Sequence, residues 1–228
     1  MSMQRSILTV LTAFLAATAV WAQPATQPVD DEEIIYRPPT QNAPAARMGG
    51  GSRGDVKLPT IEAIVPDHAG ATISSQPALY WFCSEATELP REFSLVDSVS
   101  LDTIKRQSMK GAIEAGWQKI DLKELGVSLE PGRQYEWRVA VIASTTNRSD
   151  NAVAGGMIQY VVTAPPPAEP SAIRQAAMLA QAGVWYDAVD TLMTELAKNP
   201  SNAAAAKALA ALFSQVKLEA AGKFLKPE

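Results

Sequence analysis

The chain has 228 residues, 47 % of them hydrophobic and 19 % charged, with a formal net charge of −4 and a pI near 5.2. That composition excludes global disorder, and an acidic balance without a basic cluster excludes nucleic acid as the main partner. A single cysteine, Cys83, excludes an internal disulfide, and with a single histidine, His68, it leaves no zinc ligand set.

Residues 1–22 read as a secretory signal. Arg5 supplies the positive end, Ile7 to Val20 an apolar run broken only by threonine and small residues, and Val20-Trp21-Ala22 the motif for cleavage between Ala22 and Gln23. The run is short for crossing ~30 Å of hydrocarbon. The expectation is a periplasmic or secreted protein with no stable membrane insertion after cleavage.

Residues 23–58 read as a disordered tether rich in Pro, Gly and Ala, with an acidic cluster at Asp30-Asp31-Glu32-Glu33. Such a stretch buries too little apolar surface to offset its ordering entropy. Ile34-Ile35-Tyr36 is the apolar exception and is taken as a spot within the disorder, the alternatives being addition to a sheet edge or grip on a partner. The Gly-rich run 49–51 and the Arg53-Gly54-Asp55 tripeptide are read as linker. A phosphate-cradling loop would need Gly-Lys-Ser/Thr opening a helix, and Lys57 is followed by Leu58-Pro59.

Residues 59–163 predict a β-sandwich. Short strands are expected at 60–65, 78–83, 92–96, 100–104, 115–120, 135–142 and 157–162, the last starting after Gly155-Gly156. Turn chemistry separates them. The segment after Pro131-Gly132 gives the clearest signal: Tyr135, Trp137, Val139 and Val141 fall on one face, Glu136 and Arg138 on the other. Residues 164–170, Ala-Pro-Pro-Pro-Ala-Glu-Pro, read as a stiff hinge. Residues 171–228 read as helical. Ser171 caps a first helix that Gly183 ends, a second runs over 186–198 to Asn199-Pro200, and two more follow at 203–213 and 218–225. The fold class expected is thus β and α in separate modules, an antiparallel immunoglobulin- or fibronectin-like sandwich followed by a helical hairpin of three to four short helices.

Several stretches resemble known families. Leu129, Pro131, Gly132, Tyr135, Trp137 and Val139 resemble the corner of fibronectin type III modules. That resemblance implies that the Tyr135 hydroxyl bonds back to the backbone, with Leu129 packed beneath it. The spacing of Gly183, Ala188 and Pro200 resembles one tetratricopeptide repeat, with departures at Leu179 and Glu195. Over nearly the whole mature chain, the order of the Gly-rich segment, Pro77 to Trp81, Leu129 to Trp137, and Gly183, Trp185, Tyr186, Asp187, Ala188 and Leu192 resembles the bacterial family called domain of unknown function 928. The resemblance implies an exported bacterial protein and brings no activity, cofactor or catalytic residue.

The residues that could carry chemistry are few. His68 lies in a turn, away from any serine elbow, which is a poor setting for a nucleophilic relay. Cys83 lies in an aromatic strand, the setting of a buried structural thiol. Asp187, Asp190 and Glu195 could pair across a cleft as a hydrolase would need, but a solvated helix face accounts for them. Asn147-Arg148-Ser149 is read as a plain loop. Trp185, Tyr186 and Asp187 form the candidate interaction surface: two adjacent aromatics at a helix start point in different directions, so one either docks the helices on the sandwich or covers a partner. No catalytic, cofactor-binding or metal residue is assigned. The function expected is that of a non-catalytic accessory protein of the envelope with a protein partner. The alternatives left open are a small-ligand or glycan binder stacking on Tyr80, Trp117 or Trp185, and a hydrolase with an unfamiliar carboxylate site.

Overall fold

A computed structural model of the chain describes residues 33–39, 48–50 and 58–225. The signal segment expected over 1–22 and its cleavage point lie outside the described residues. Nine strands and four α-helices are described: β1 Met48–Gly50, β2 Ile61–Ala63, β3 Gly70–Thr72, β4 Ala78–Cys83, β5 Arg91–Asp97, β6 Thr103–Met109, β7 Gly116–Asp121, β8 Gln134–Val141, β9 Ala152–Tyr160, α1 Ala172–Gln181, α2 Trp185–Lys198, α3 Ala203–Gln215 and α4 Glu219–Phe224.

The strands form two sheets, and the helices follow them. The larger runs β1-β9-β8-β5-β6, with β3 also paired to β9, and the smaller runs β2-β4-β7. All pairings are antiparallel except β3 with β9, which sets Gly70 to Thr72 beside Ile158 to Tyr160. β8 alternates as its sequence requires, with Tyr135, Trp137, Val139 and Val141 all buried. β4 is buried at every position. One of its faces joins the strand core, and the other lies under α2, against which it packs.

The fold departs from the sequence expectation in several places. β6 begins later and runs further than 100–104, as an edge strand whose mostly polar side chains hide its period. β9 begins at Ala152 and passes through Gly155 and Gly156 rather than starting after them. Both glycines are needed there: a Cβ on Gly156 would come within 2.7 Å of Val65 Cγ2, and one on Gly155 would strike the Trp137 carbonyl. β3 is too short to signal itself, and its Gly70 leaves room for the ring of Tyr186.

The separate modules expected for sheets and helices give way to one continuous buried cluster that includes Leu79, Trp137, Ile158, Ala176, Trp185 and Phe213. Ile34-Ile35-Tyr36 also needs correction. Ile34 and Tyr36 are buried. The Gln215 side-chain amide donates to the Ile34 carbonyl (2.9 Å) and accepts from the Tyr36 N–H (2.8 Å), and the Arg37 N–H donates to the Ala180 carbonyl (3.0 Å). Two apolar side chains and three backbone bonds compensate for the ordering of this short strap.

The helix signals read from sequence match the caps. The Ser171 side chain accepts from the Arg174 N–H and Gly183 turns the chain at φ +78°; Asn202, not singled out in the sequence as a start signal, caps α3 by accepting from the Ala205 N–H. Ala176, Ala180 and Ala188 are fully buried where α1 meets α2, which lets the two helices approach closely.

Candidate functional site

The three residues expected to form an interaction surface sit at the start of α2, and they are spent inside the molecule. Trp185 is fully buried, and its Nε1–H donates to the Ile64 carbonyl at 3.0 Å. Tyr186 is buried as well; its hydroxyl accepts from Trp137 Nε1–H at 2.8 Å and donates to the Met157 carbonyl at 3.1 Å. Asp187 Oδ2 accepts from the Ile73 N–H at 3.2 Å, and the nearby Thr72 hydroxyl favours the charged carboxylate. Burial pushes the Asp187 carboxyl above its ordinary range against those hydrogen bonds, and the Asp190 charge adds to the rise. Helix docking takes all three side chains, so Trp185 and Tyr186 offer no open surface to a partner.

The other candidates follow the same pattern. Asp190 Oδ1 accepts from the Tyr80 hydroxyl at 2.7 Å, and Glu195 Oε1 accepts from the Asn202 side chain at 2.9 Å. The acids are not a solvated row: Asp187 and Asp190 each grip a different part of the strand layer. Burial, then Asp190, holds the Tyr80 phenol above its usual range. Of the aromatics considered for glycan stacking, Tyr80 and Trp185 are buried, and half-buried Trp117 packs on Phe82 and Phe213 with ring centroids 5.5 and 5.6 Å away.

His68 is buried between two partners. Its Nδ1 lies 3.2 Å from Asp67 Oδ1 and its Nε2 lies 2.8 Å from the Tyr36 hydroxyl. A carboxylate only accepts, so the neutral ring carries its proton on Nδ1 and receives the phenol proton at Nε2. The Tyr36 ring stacks on His68 and meets Trp185 edge-on, 5.0 Å between centroids. His68 therefore anchors the strap. Cys83 is fully buried, and its thiol donates to the Glu85 carbonyl at 3.1 Å. Burial raises the thiol pKa, which disfavours the reactive thiolate. Among the described residues no group of three or more His, Cys, Asp or Glu could hold a metal ion.

Open chemistry lies instead on the outer face of the larger sheet, in a cleft of about 510 Å³. Strand alternation builds it: Phe93, Trp137 and Val139 point inward, and Glu92, Ser94 and Arg138 point outward. The register then aligns Arg106 of β6, Ser94 of β5, Arg138 of β8 and Gly155 of β9 in one row across four strands. Arg91 at the start of β5 and Arg148 in the β8–β9 loop complete a lining of four arginines, with the Glu92 carboxylate in the lining and that of Glu136 beside Arg138.

The cleft is partly pre-ordered. Glu136 holds the Arg138 guanidinium with a 2.8 Å contact, Glu92 lies 3.7 Å from Arg106, and both arginine side chains remain about half exposed. The Asn151 side-chain carbonyl accepts from the N–H groups of Ala143 and Ser144, each at 2.9 Å, and fixes the loop that carries Arg148. Sequence reasoning passed over these residues. Arg138 was visible on the polar face of β8, but the expected end of β6 at 104 left Arg106 off the sheet, and Arg148 lay in a segment read as plain loop.

Comparison with known proteins adds a family. The family model described as Domain of Unknown Function (DUF928) matches residues 48–224. No curated protein matches the chain. Solved structures that match include one titled "Crystal structure of the C-terminal domain of wzt", at a TM-score of 0.28 and 10 % identity, covering 59 % of this chain and 89 % of that one, a likeness too slight to carry fold or function across.

Proposed function

The chain belongs to the DUF928 family, and on that premise we propose that it is an exported, non-catalytic binding protein of the bacterial envelope whose arginine-lined cleft takes up an anionic ligand. One observation carries the reading. The groups a catalyst would use, His68, Cys83, Asp187 and Asp190, spend their polar atoms on internal joints, while the arginines of the cleft stand at the surface around a cavity. Four guanidinium groups, two of them partnered by Glu92 and Glu136, leave a positive excess in one place on a chain of net charge −4, which attracts anions. The protein-partner reading rested on Trp185 and Tyr186, and their burial moves the best candidate surface to the cleft.

The finer architecture belongs to the same proposal. The two sheets are read as a fibronectin-like sandwich, supported by the Tyr135 hydroxyl, which accepts from the Glu130 N–H at 3.0 Å above buried Leu129. The α1–α2 pair is read as a single tetratricopeptide-like hairpin, supported by the close Ala176–Ala188 packing and the Gly183 turn.

The test is retention of envelope components on the immobilised mature chain, compared with a chain carrying Arg106→Gln and Arg138→Gln. The reading expects a component held by the parent, released by salt and lost from the variant. Equal retention by both chains, or none by either, would refute it.

A further inference from the structure

We infer that the cleft is built for an acidic saccharide chain, one that carries carboxylate or sulfate groups on successive sugars; the inference rests on the binding function proposed above. Four features of the lining select this ligand class.

The first is spacing. Arg106 and Arg138 flank Ser94 on the two neighbouring strands, so their Cα atoms stand two strand spacings apart, roughly 10 Å. Arg138 is held by Glu136 and Arg106 lies beside Glu92, so the two present separate charges that a chain can meet in turn, with Arg91 and Arg148 continuing the lining beyond that row. The second is the remaining polar lining. Ser94, Ser108 and Thr145 offer hydroxyl groups that both donate and accept, and Asn151 a side-chain amide N–H that donates while its carbonyl holds the loop, which suits sugar hydroxyls.

The third is that, among the described residues, none in the lining carries an aromatic ring. Neutral sugars and nucleobases are commonly held by stacking, and here charge and hydrogen bonding must do that work. The fourth concerns the floor. β5 and β8 are interior strands, each paired on both sides, so their backbone groups are committed. An acidic peptide recognised by strand addition needs a free sheet edge; the edge strand β6 offers one at the side of the cleft, so a peptide paired there would lie beside the floor rather than across it.

Gly155 contributes to the shape. It sits opposite Arg138 in the β8–β9 register, and a Cβ there would lie 3.1 Å from Arg138 Cγ. Its bare backbone lets the Arg138 stem lie low across the sheet.

The experiment is calorimetric titration of the full mature chain with four probes: an oligogalacturonate, its methyl ester with the same backbone but no charge, a sulfated oligosaccharide and inorganic phosphate. The expected result is saturable binding of at least one acidic oligosaccharide and binding of the ester about tenfold weaker or less. Arg106→Gln with Arg138→Gln should weaken the acidic ligand about tenfold. Lys123→Gln with Lys198→Gln removes the same charge from exposed sites outside the cleft and should leave affinity unchanged. Unchanged thermal unfolding of both variants would confirm that they are folded.

Equal affinity for ester and acid, indifference to the arginine substitutions, or no binding of either acidic oligosaccharide would overturn the inference. Phosphate binding as tightly as the oligosaccharides would overturn it in favour of a lone-anion site. If envelope components stay bound through Arg106 and Arg138 while both acidic saccharides fail, only the ligand class falls; if that retention fails too, so does the binding function.

Discussion

Tyr186→Phe is the most direct test of how the helices are held. The hydroxyl it deletes bridges two buried groups, accepting from Trp137 Nε1–H and donating to the Met157 carbonyl. Met157 lies in the part of β9 between its β1 and β3 pairings, where the helix supplies the partner that a strand would otherwise give. With Trp137 fully buried, water has no ready route to the orphaned indole N–H. An unsatisfied buried donor costs about 1–3 kcal/mol, and a lost acceptor bond adds to that, so the substitution should destabilise the chain by about 3 kcal/mol. For a chain of this size that is a fall in Tm of roughly 6–12 °C. Urea unfolding followed by far-UV circular dichroism measures it, and an unchanged m-value would show that the folded state stayed compact. Tyr135→Phe is the internal control. Among the described residues its hydroxyl serves the Glu130 N–H, at an exposed residue that can turn to water, so the cost should be ~1 kcal/mol. Equal losses for the two variants, or a Tyr186→Phe loss under about 1 kcal/mol, would refute the bridging role.

Other outcomes follow from the same geometry. The Asp187 carboxyl holds its proton to higher pH folded than unfolded, so the native state binds more protons in that window. Stability should therefore fall as pH rises from the ordinary carboxylate pKa through the raised one. Asp187→Asn keeps an acceptor for the Ile73 N–H and should flatten that slope in urea unfolding at a series of pH values; an unchanged slope would contradict the assignment. Gly156→Ala pushes a Cβ against Val65 and should cost about 1–3 kcal/mol by overpacking, measured by thermal unfolding, with no loss expected only if β9 can shift. Cys83 should react slowly with a thiol reagent in the native chain and fully once urea unfolds it, and a fast native reaction would show that the strand opens.

Legibility in the sequence tracked how local each signal was. β8 was plain because its alternation is complete within eight residues, and its corner bond joins Glu130 to Tyr135 a few positions away. The helices were plain for the same reason, since Ser171 and Gly183 act on their immediate neighbours. β3 was not legible, because three residues carry no period and Gly70 is explained only by the distant Tyr186 ring. The strap was hidden by its composition: Ile34 and Tyr36 sit in a polar stretch, and the amide that reads their backbone belongs to Gln215, at the other end of the chain. The cleft was hidden by topology. Its arginines come from β5, β6, β8 and a loop, and only the strand order β9-β8-β5-β6 makes them neighbours.

The joint and the cleft are two sides of one strand. α2 reaches the strand layer at several points: Trp185 bonds the carbonyl after β2, Asp187 the N–H after β3, Asp190 the β4 tyrosine, and Tyr186 both β8 and β9. One helix therefore ties down both sheets. Alternation puts Trp137 of β8 under Tyr186 and the next residue, Arg138, into the cleft. A bond that fixes the Trp137 indole also fixes the peptide from which Arg138 projects, and a binding group is most effective when the element beneath it is rigid. On the proposed binding function, the aromatics singled out in the sequence would contribute to recognition indirectly, by holding still the strand whose opposite face carries the charge.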